Sequence, residues 1–293
     1  MTTRLFDFSA IDKTLDVRAR GKSLMTLPQL NKGTAFSNSE RKQFCLLGKL
    51  PDIVESIEQQ SIRAYYQYSQ FKDPFEKFIY LNSLHNYNQT LFYYLLQNNL
   101  DEMLPIIYTP VISRGVEKFS QEFRSSRGIY ISCNQIDSID EILANRTNPD
   151  IDLIVVSDGQ GILGIGDQGI GGLMIAVSKL AVYSVFGAIN PLRTLPIILD
   201  VGTDNQHLID DPLYLGVRSP RIEQDKYDSF IEQFVKSVKK NFPRAFLHWE
   251  DFGRNNAERI LEKYQYQLCN FNDDSQGTGV VALGSVLSGL QNQ

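Results

Sequence analysis

Two acidic pairs carry the most chemistry in this sequence. Glu250-Asp251 follows the apolar run AFLHW, and Asp273-Asp274 sits in FNDDSQGTG. Adjacent acids alone are also what a solvated turn carries. Here Phe246, Trp249, Phe252 and Phe271 surround them, and an unpaired carboxylate is costly in apolar surroundings. At the carboxyl ends of strands in an α/β sheet, such side chains would face the crevice where ligands bind. Carboxylates converging there form a hard-oxygen site suited to Mg²⁺ or Mn²⁺. Lys179 is the matching cation, in the apolar stretch Ile175–Val182. It either snorkels to the surface or sits desolvated with a lowered pKa and serves as a base. Tyr108, in YTP, is either a turn residue before Pro110 or a proton donor. His85, His207 and His248 show no ligand spacing and receive no role. Arg114, Lys118, Arg124 and Arg127 read as a solvated helix face.

The run Gly159-Gln-Gly161-Ile-Leu-Gly164 fits the G-x-G-x-x-G dinucleotide fingerprint. That motif needs a helix opening at its third glycine. Here Ile162, Leu163 and Ile165 alternate with glycines as a strand would, and Asp158-Gly159 reads as a two-residue hairpin turn. The acidic ribose anchor expected about 20 residues on falls near Lys179 instead. The fingerprint is therefore rejected in favour of a hairpin.

These residues need elements to hold them. Asp152–Val156 and Leu195–Leu199 are short β-branched runs of the kind buried on both faces of a sheet, and Ala245–His248 is a third candidate. Helical patterns at Gly171–Phe186 and Tyr227–Asn241 separate them, which predicts an α/β unit with a mostly parallel sheet flanked by helices. Upstream the chain reads as helical. The first thirty or so residues lack period and read as an arm. Pro51 is expected to open a helix with an apolar stripe of Ile53, Val54, Ile57, Ile62 and Tyr65. Helices near Phe75–Asn86 and Asn88–Gln97 come next, in a stretch dense in Tyr and Phe that suits a helical core or a subunit interface. Thr278–Leu290 reads as a helix of small residues.

With 42% hydrophobic and 22% charged residues, the chain can bury a core. Its 34 Asp+Glu against 29 Lys+Arg disfavour a general nucleic-acid partner, whose affinity rests on phosphate neutralisation. Cys45, Cys133 and Cys269 have neither paired nor metal-type spacing and read as cytosolic thiols. No signal peptide is expected, because the start MTTRLFDFSAIDKT lacks a charged region followed by an apolar run. No membrane span is expected, because the most apolar stretch, Leu173–Ile189, carries Lys179. A cytoplasmic protein is the expectation.

Taken together, these pieces resemble the malic enzyme family. The likeness rests on LNKGTAFS, YTP, FRSSRGIYIS, VVSDGQGILGIGDQGIGG, SKLAVY, LPIILDVGTDN, DPLYLGVR, WEDFG and FNDDSQGTG, in family order from about Leu30 onward. The resemblance implies the malic enzyme N-terminal, aminoacid dehydrogenase-like fold. It implies a helical region at 1–75, a malate- and metal-binding domain at 76–277, and at 278–293 the first helix toward an NAD-binding domain. It also implies oxidative decarboxylation of L-malate to pyruvate and CO₂ with NAD and Mn²⁺ or Mg²⁺. Glu250, Asp251 and Asp274 resemble the metal ligands, and Lys179 the base that takes the C2 hydroxyl proton. Asp273 resembles the acid that supports this lysine, and Tyr108 the group that protonates C3. A homo-dimer or homo-tetramer is implied.

Two departures qualify the match. Gly161 stands where malic enzymes typically carry an arginine that contacts malate, and a glycine supplies no carboxylate clamp. There and in HWEDFG the sequence resembles malolactic enzyme, which takes L-malate to L-lactate and CO₂. In YTP and FRSSRGIYIS it resembles bacterial NAD-malic enzymes. Malic enzyme is the favoured reading and malolactic enzyme the alternative. The cofactor domain expected after FNDDSQGT is not in this sequence, so the chain is expected to be inactive by itself. Val280, Val281, Leu283, Val286, Leu287 and Leu290 would then favour association. A non-enzymatic metal-binding or interaction module is the remaining alternative.

Overall fold

A strand that pairs in parallel with its predecessor must first leave the sheet and cross back, so short apolar runs separated by helices dictate a layered architecture. The computed structural model describes residues 6–9, 14–146 and 150–291. The chain divides into two compact units, Met1–Gly115 and Val116–Gln293. That division falls later than the 75/76 boundary expected from sequence.

In the first unit, β1 (Phe6–Ser9) and β2 (Thr14–Val17) pair antiparallel. The expected arm is thus, over its described residues, a hairpin. Its Phe6 joins Ala19, Leu24, Leu30, Phe36 and Leu46 in a small core. Helices α1 (Gly21–Met25), α2 (Asn38–Gln43), α3 (Ile57–Ser69), α4 (Pro74–Tyr87), α5 (Gln89–Asn98) and α6 (Leu100–Ile107) come next, and α7 (Ile112–Glu117) spans the division. The helix expected from Pro51 starts instead at Ile57. Ser56 and Gln59 form a capping box there. The carbonyls a helix from Pro51 would need are already taken, because the buried Arg41 guanidinium donates to those of Pro51, Asp52 and Ile53 at 2.6, 3.2 and 2.9 Å. The expected stripe is also wrong. Ile62 is 71% exposed and Ile53 69%, while Gln60, Ser61, Ala64 and Tyr68 form the buried face.

In the second unit, β3 (Ile129–Ser132), β4 (Leu153–Ser157), β5 (Thr194–Asp200), β6 (Phe246–Trp249) and β7 (Asn270–Asn272) form one sheet in the order β3-β5-β4-β6-β7. Every pairing is parallel. Its helices are α8 (Phe119–Glu122), α9 (Ile139–Ala144), α10 (Leu173–Gly187), α11 (Gln206–Asp210), α12 (Gln224–Asn241), α13 (Arg254–Tyr264) and α14 (Thr278–Gln291). The α/β class with a parallel sheet flanked by helices is the one expected. One face packs Ile154, Val156, Leu247 and Trp249 against Leu143 of α9, Phe234 and Val238 of α12 and Ile260 of α13. The other packs Leu153 and Val155 against Ala176 and Leu180 of α10. The alternation along β4 and β6 is that of strands covered on both sides. Residues Gly169–Gly187, with α10 at their core, are long and apolar enough to cross a membrane, but 72% of that window is buried inside the protein, as befits a helix packed on a sheet.

The hairpin expected at Asp158-Gly159 does not form. Both neighbours of β4 are parallel strands, so no edge is open for Ile162–Gly166 to pair with. That segment closes on itself through a single bridge from Ile162 to Gly166. Strands β3 and β7 were not foreseen, since they are only four and three residues long. Arg124 and Arg127 lie beyond the end of α8, so the basic cluster is not one helix face. Arg114 binds both oxygens of Asp73, at 2.8 and 3.1 Å. On α14, all six apolar side chains singled out from sequence are 52–70% exposed.

Candidate active site at the ends of strands β6 and β7

Register places the acidic pairs. Trp249 of β6 lies opposite Asn272 of β7, so Glu250 and Asp273 leave adjacent strands side by side. The Glu250 N–H still donates to the Val156 carbonyl of β4 at 2.9 Å, which extends the sheet by one residue. Asp251 then turns the chain with a φ of +56°, a left-handed conformation that aspartate tolerates better than most side chains. Such strain is commonly retained where a structure positions functional groups. The Asp251 N–H donates to Asp274 Oδ2 at 2.8 Å, tying the pairs together. Asp273 and Asp274 open the π-helical turn Asp273–Gly277 that leads into α14, and π turns recur at functional sites.

Lys179 reaches this cluster from α10. Its Nζ lies 2.8 Å from Glu250 Oε1 and 2.8 Å from Asp273 Oδ2, and the side chain is 14% exposed. The lysine therefore turns into the carboxylate cluster instead of reaching for solvent. Among the described residues, one ammonium sits beside four carboxylates and pairs with two of them. Burial and the charges of Glu250 and Asp274 push the Asp251 carboxyl up to about 8. Burial and the charge of Glu250 push Asp274 up to about 6. Groups so crowded with like charge and desolvated are those a divalent cation relieves, and their hard oxygens suit Mg²⁺ or Mn²⁺. On chemistry, the residues present fit such an ion.

His248, given no role from sequence, proves central. It is 0% exposed, its Nε2 hydrogen-bonds Glu250 Oε2, and its Nδ1 lies 2.9 Å from the Tyr183 hydroxyl. His248, Glu250 and Asp273 offer ligand atoms within 4.8 Å of one another, a second possible donor set. Both ring nitrogens of His248 are already engaged, so the all-carboxylate set is the better one. A signal for this histidine did exist. Lys179 and Tyr183 stand four apart on a helix, and His248 and Glu250 two apart on a strand. The rises, about 6 Å on a helix and about 6.6 Å on a strand, match.

Gly161 lies in the loop after β4 and donates its N–H to the Asp251 carbonyl at 2.8 Å. A Cβ there would stand 2.4 Å from the Phe252 carbonyl oxygen, so this loop path admits no arginine. The loop is anchored by Arg221, which sequence reasoning missed. Its guanidinium grips Asp167 Oδ1 and Oδ2, both at 2.8 Å, and donates to Asp158 Oδ2 at 3.2 Å and to the Asp158 carbonyl at 2.9 Å. The rejection of a dinucleotide cradle agrees with the backbone. Gly164 opens no helix, and the amino end of α10 is filled by its own chain, since a Cβ on Gly172 would meet Gly159 Cα at 2.7 Å. The residues here do not fit a dinucleotide. Tyr108 belongs to the first unit, directly after α6, where its carbonyl accepts from the Ile112 N–H at 2.8 Å.

Comparison with known proteins adds a second line of observation to this geometry. The family described as malic enzyme, N-terminal domain, matches residues 85–265. NAD-dependent malic enzymes of Escherichia coli O1:K1 / APEC, O139:H28 (strain E24377A / ETEC) and strain K12 / DH10B are each 48% identical over 276 residues. Each alignment covers 94% of this chain and 49% of the relative. The chain thus spans about half the length of the curated relatives it matches. A family match over most of the sheet-bearing unit, together with identity at this level across nearly the whole chain, leads to one conclusion: the chain belongs to the malic enzyme family.

Proposed function

We propose that this chain supplies the malate- and metal-binding half of an NAD-dependent malic enzyme, which converts L-malate to pyruvate and CO₂. The observation that carries the reading is the placement of Lys179 Nζ at 2.8 Å from both Glu250 and Asp273, beside the raised carboxyls of Asp251 and Asp274. Glu250, Asp251 and Asp274 would hold Mn²⁺ or Mg²⁺. A bound ion would supply Lewis acidity toward the hydroxyl and carbonyl oxygens of the substrate. Lys179 takes the proton of the C2 hydroxyl, and Asp273 and Glu250 keep its amine aimed. Tyr108 protonates C3 of the decarboxylated product. NAD as hydride acceptor rests on the names of the relatives, because the described glycine-rich run after β4 offers no dinucleotide cradle. On the same resemblance we read a cytoplasmic homo-dimer or homo-tetramer.

The 293-residue chain is the material for the test. Titration with Mn²⁺, followed by the loss of the free-ion EPR signal, is expected to show one site that Asp274→Asn weakens about tenfold or more. Incubation with malate, Mn²⁺ and NAD⁺ is expected to give no sustained turnover. Absence of Mn²⁺ binding would remove the metal reading, and sustained turnover would remove the view that this half is inactive alone. The backbone contact at Gly161, which excludes an arginine clamp, favours lactate as a second reading. Malate fed to a full-length enzyme with catalytic NAD⁺ separates the two: NADH accumulates with pyruvate, whereas lactate forms without it.

A further inference from the structure

Among the described residues, the proposed reaction gives no task to the wholly buried His248 and the half-buried Tyr183 bonded to it. His248 is wholly buried, on the β6 face that meets α10. Its ring stands edge-on to Phe271 at 5.4 Å and to Tyr183 at 5.7 Å, so its plane is fixed by aromatic neighbours. Phe271 lies directly opposite it in the β6–β7 register. A neutral imidazole has one donor and one acceptor nitrogen. The Glu250 carboxylate can only accept, so Nε2–H donates to Glu250 Oε2 and Nδ1 accepts from the Tyr183 hydroxyl, 2.9 Å away. Glu250 Oε1 in turn faces Lys179 Nζ at 2.8 Å, and that amine faces Asp273 Oδ2 at 2.8 Å. Five side chains therefore form one continuous line, Tyr183–His248–Glu250–Lys179–Asp273. Two of its members come from successive turns of α10 and two from the same face of β6.

We propose that Tyr183 and His248 are positioning residues that set the orientation of the Glu250 carboxylate for a divalent cation. This rests on the metal reading given above. A carboxylate on a strand end can rotate about three side-chain bonds, and each unproductive rotamer lowers the fraction of the site ready to bind. A fixed donor, the imidazole on Oε2, removes that freedom. The His248 bond to Oε2 would keep the plane of the carboxylate if Glu250 held a cation. Outer-shell partners of this kind typically contribute about 10- to 100-fold in metal affinity. His248 itself is not the ligand, since neither ring nitrogen retains an unengaged lone pair.

The test is Mn²⁺ titration of the 293-residue chain by EPR, with circular dichroism to confirm folding. His248→Leu is expected to weaken Mn²⁺ binding about 10-fold or more. His248→Gln, whose side-chain amide can donate to Glu250, is expected to recover most of that loss. Tyr183→Phe leaves the ring in place and removes its anchor, so a smaller loss of several-fold is expected. Because the effect acts through Glu250, His248→Leu is expected to cost no more than about twofold in a Glu250→Gln background. The inference is overturned if a folded His248→Leu chain binds Mn²⁺ within about twofold of the parent, or if its penalty persists undiminished in that background. Should His248→Leu fail to fold, Tyr183→Phe decides by the same two criteria. A parent chain that binds no Mn²⁺ at all removes both this inference and the metal reading beneath it. Equal binding by parent and variants removes only this one.

Discussion

At the scale of residues, the site is a problem of charge. Glu250, Asp251, Asp273 and Asp274 meet a single ammonium, and Lys179 divides itself between two of them. A lysine that bridges two carboxylates can be structural or chemical, and these roles predict different variants. If Lys179 is the base, Lys179→Ala in a full-length enzyme loses turnover by about a thousandfold or more, within the range that proton transfer by a positioned side chain supplies. Mn²⁺ binding should survive, because the amine is itself a cation beside the carboxylates and supplies no ligand. Measuring kcat and Mn²⁺ affinity on the same variant separates the roles. Near-normal turnover removes lysine from the mechanism. A tenfold loss of Mn²⁺ affinity with kcat preserved makes it a scaffold residue.

At the scale of elements, strands β4, β5 and β6 and helices α10, α12 and α14 were legible because each is a run of one hydrophobic period. The acidic pairs could be read as strand-end residues for the same reason. His248 was harder to read, because its matched spacing with Glu250 against Lys179 and Tyr183 gains meaning only once α10 is known to lie across β6. Arg41 and Arg221 were hidden likewise, since their partners are backbone carbonyls and acids distant in sequence. The loop after β4 was misread because Asp-Gly is a strong hairpin signal only where a neighbouring strand position is vacant. Its glycines now predict unequal costs. Gly159 has a φ of +67°, and a Cβ there would stand 2.2 Å from the Gly169 carbonyl oxygen. Gly164 has a φ of +86° with nothing within 4 Å of such a Cβ. Gly164→Ala should cost about 1 kcal/mol in urea denaturation, the strain alone, and Gly159→Ala about 2–4 kcal/mol. Equal costs would mean that the loop shifts freely and that its packing against α10 contributes little.

At the scale of the whole molecule, these local contacts appear as the dependence of stability on pH. Burial works against the Asp167 carboxylate, but both arms of Arg221 and the N–H groups of Asp204 and Gly169 outweigh it and hold it below its ordinary range. A carboxyl whose folded-state pKa is depressed stabilises the protein above its unfolded value, near 4, and that contribution is lost as pH falls through the folded value. The same acid fastens two segments that frame the sheet's carboxyl edge, the loop after β4 and the stretch from Thr203 to Arg221. Asp167→Asn is therefore expected to lower stability at pH near 7 by about 2–4 kcal/mol, as when one partner of a buried pair is removed. The gap between variant and parent should narrow as pH falls below about 4, where the unfolded chain takes up a proton the folded parent still lacks, and close once pH passes the folded value. Urea denaturation at several pH values measures this. A chain of two compact units can unfold in two steps, so the comparison belongs to whichever transition the substitution moves. A gap that stays constant down to acid pH would mean that Asp167 acts by shape and hydrogen bonding alone. A narrowing gap would assign part of the acid sensitivity of this fold to the Arg221–Asp167 ion pair that ties the loop after β4 to the stretch from Thr203 to Arg221.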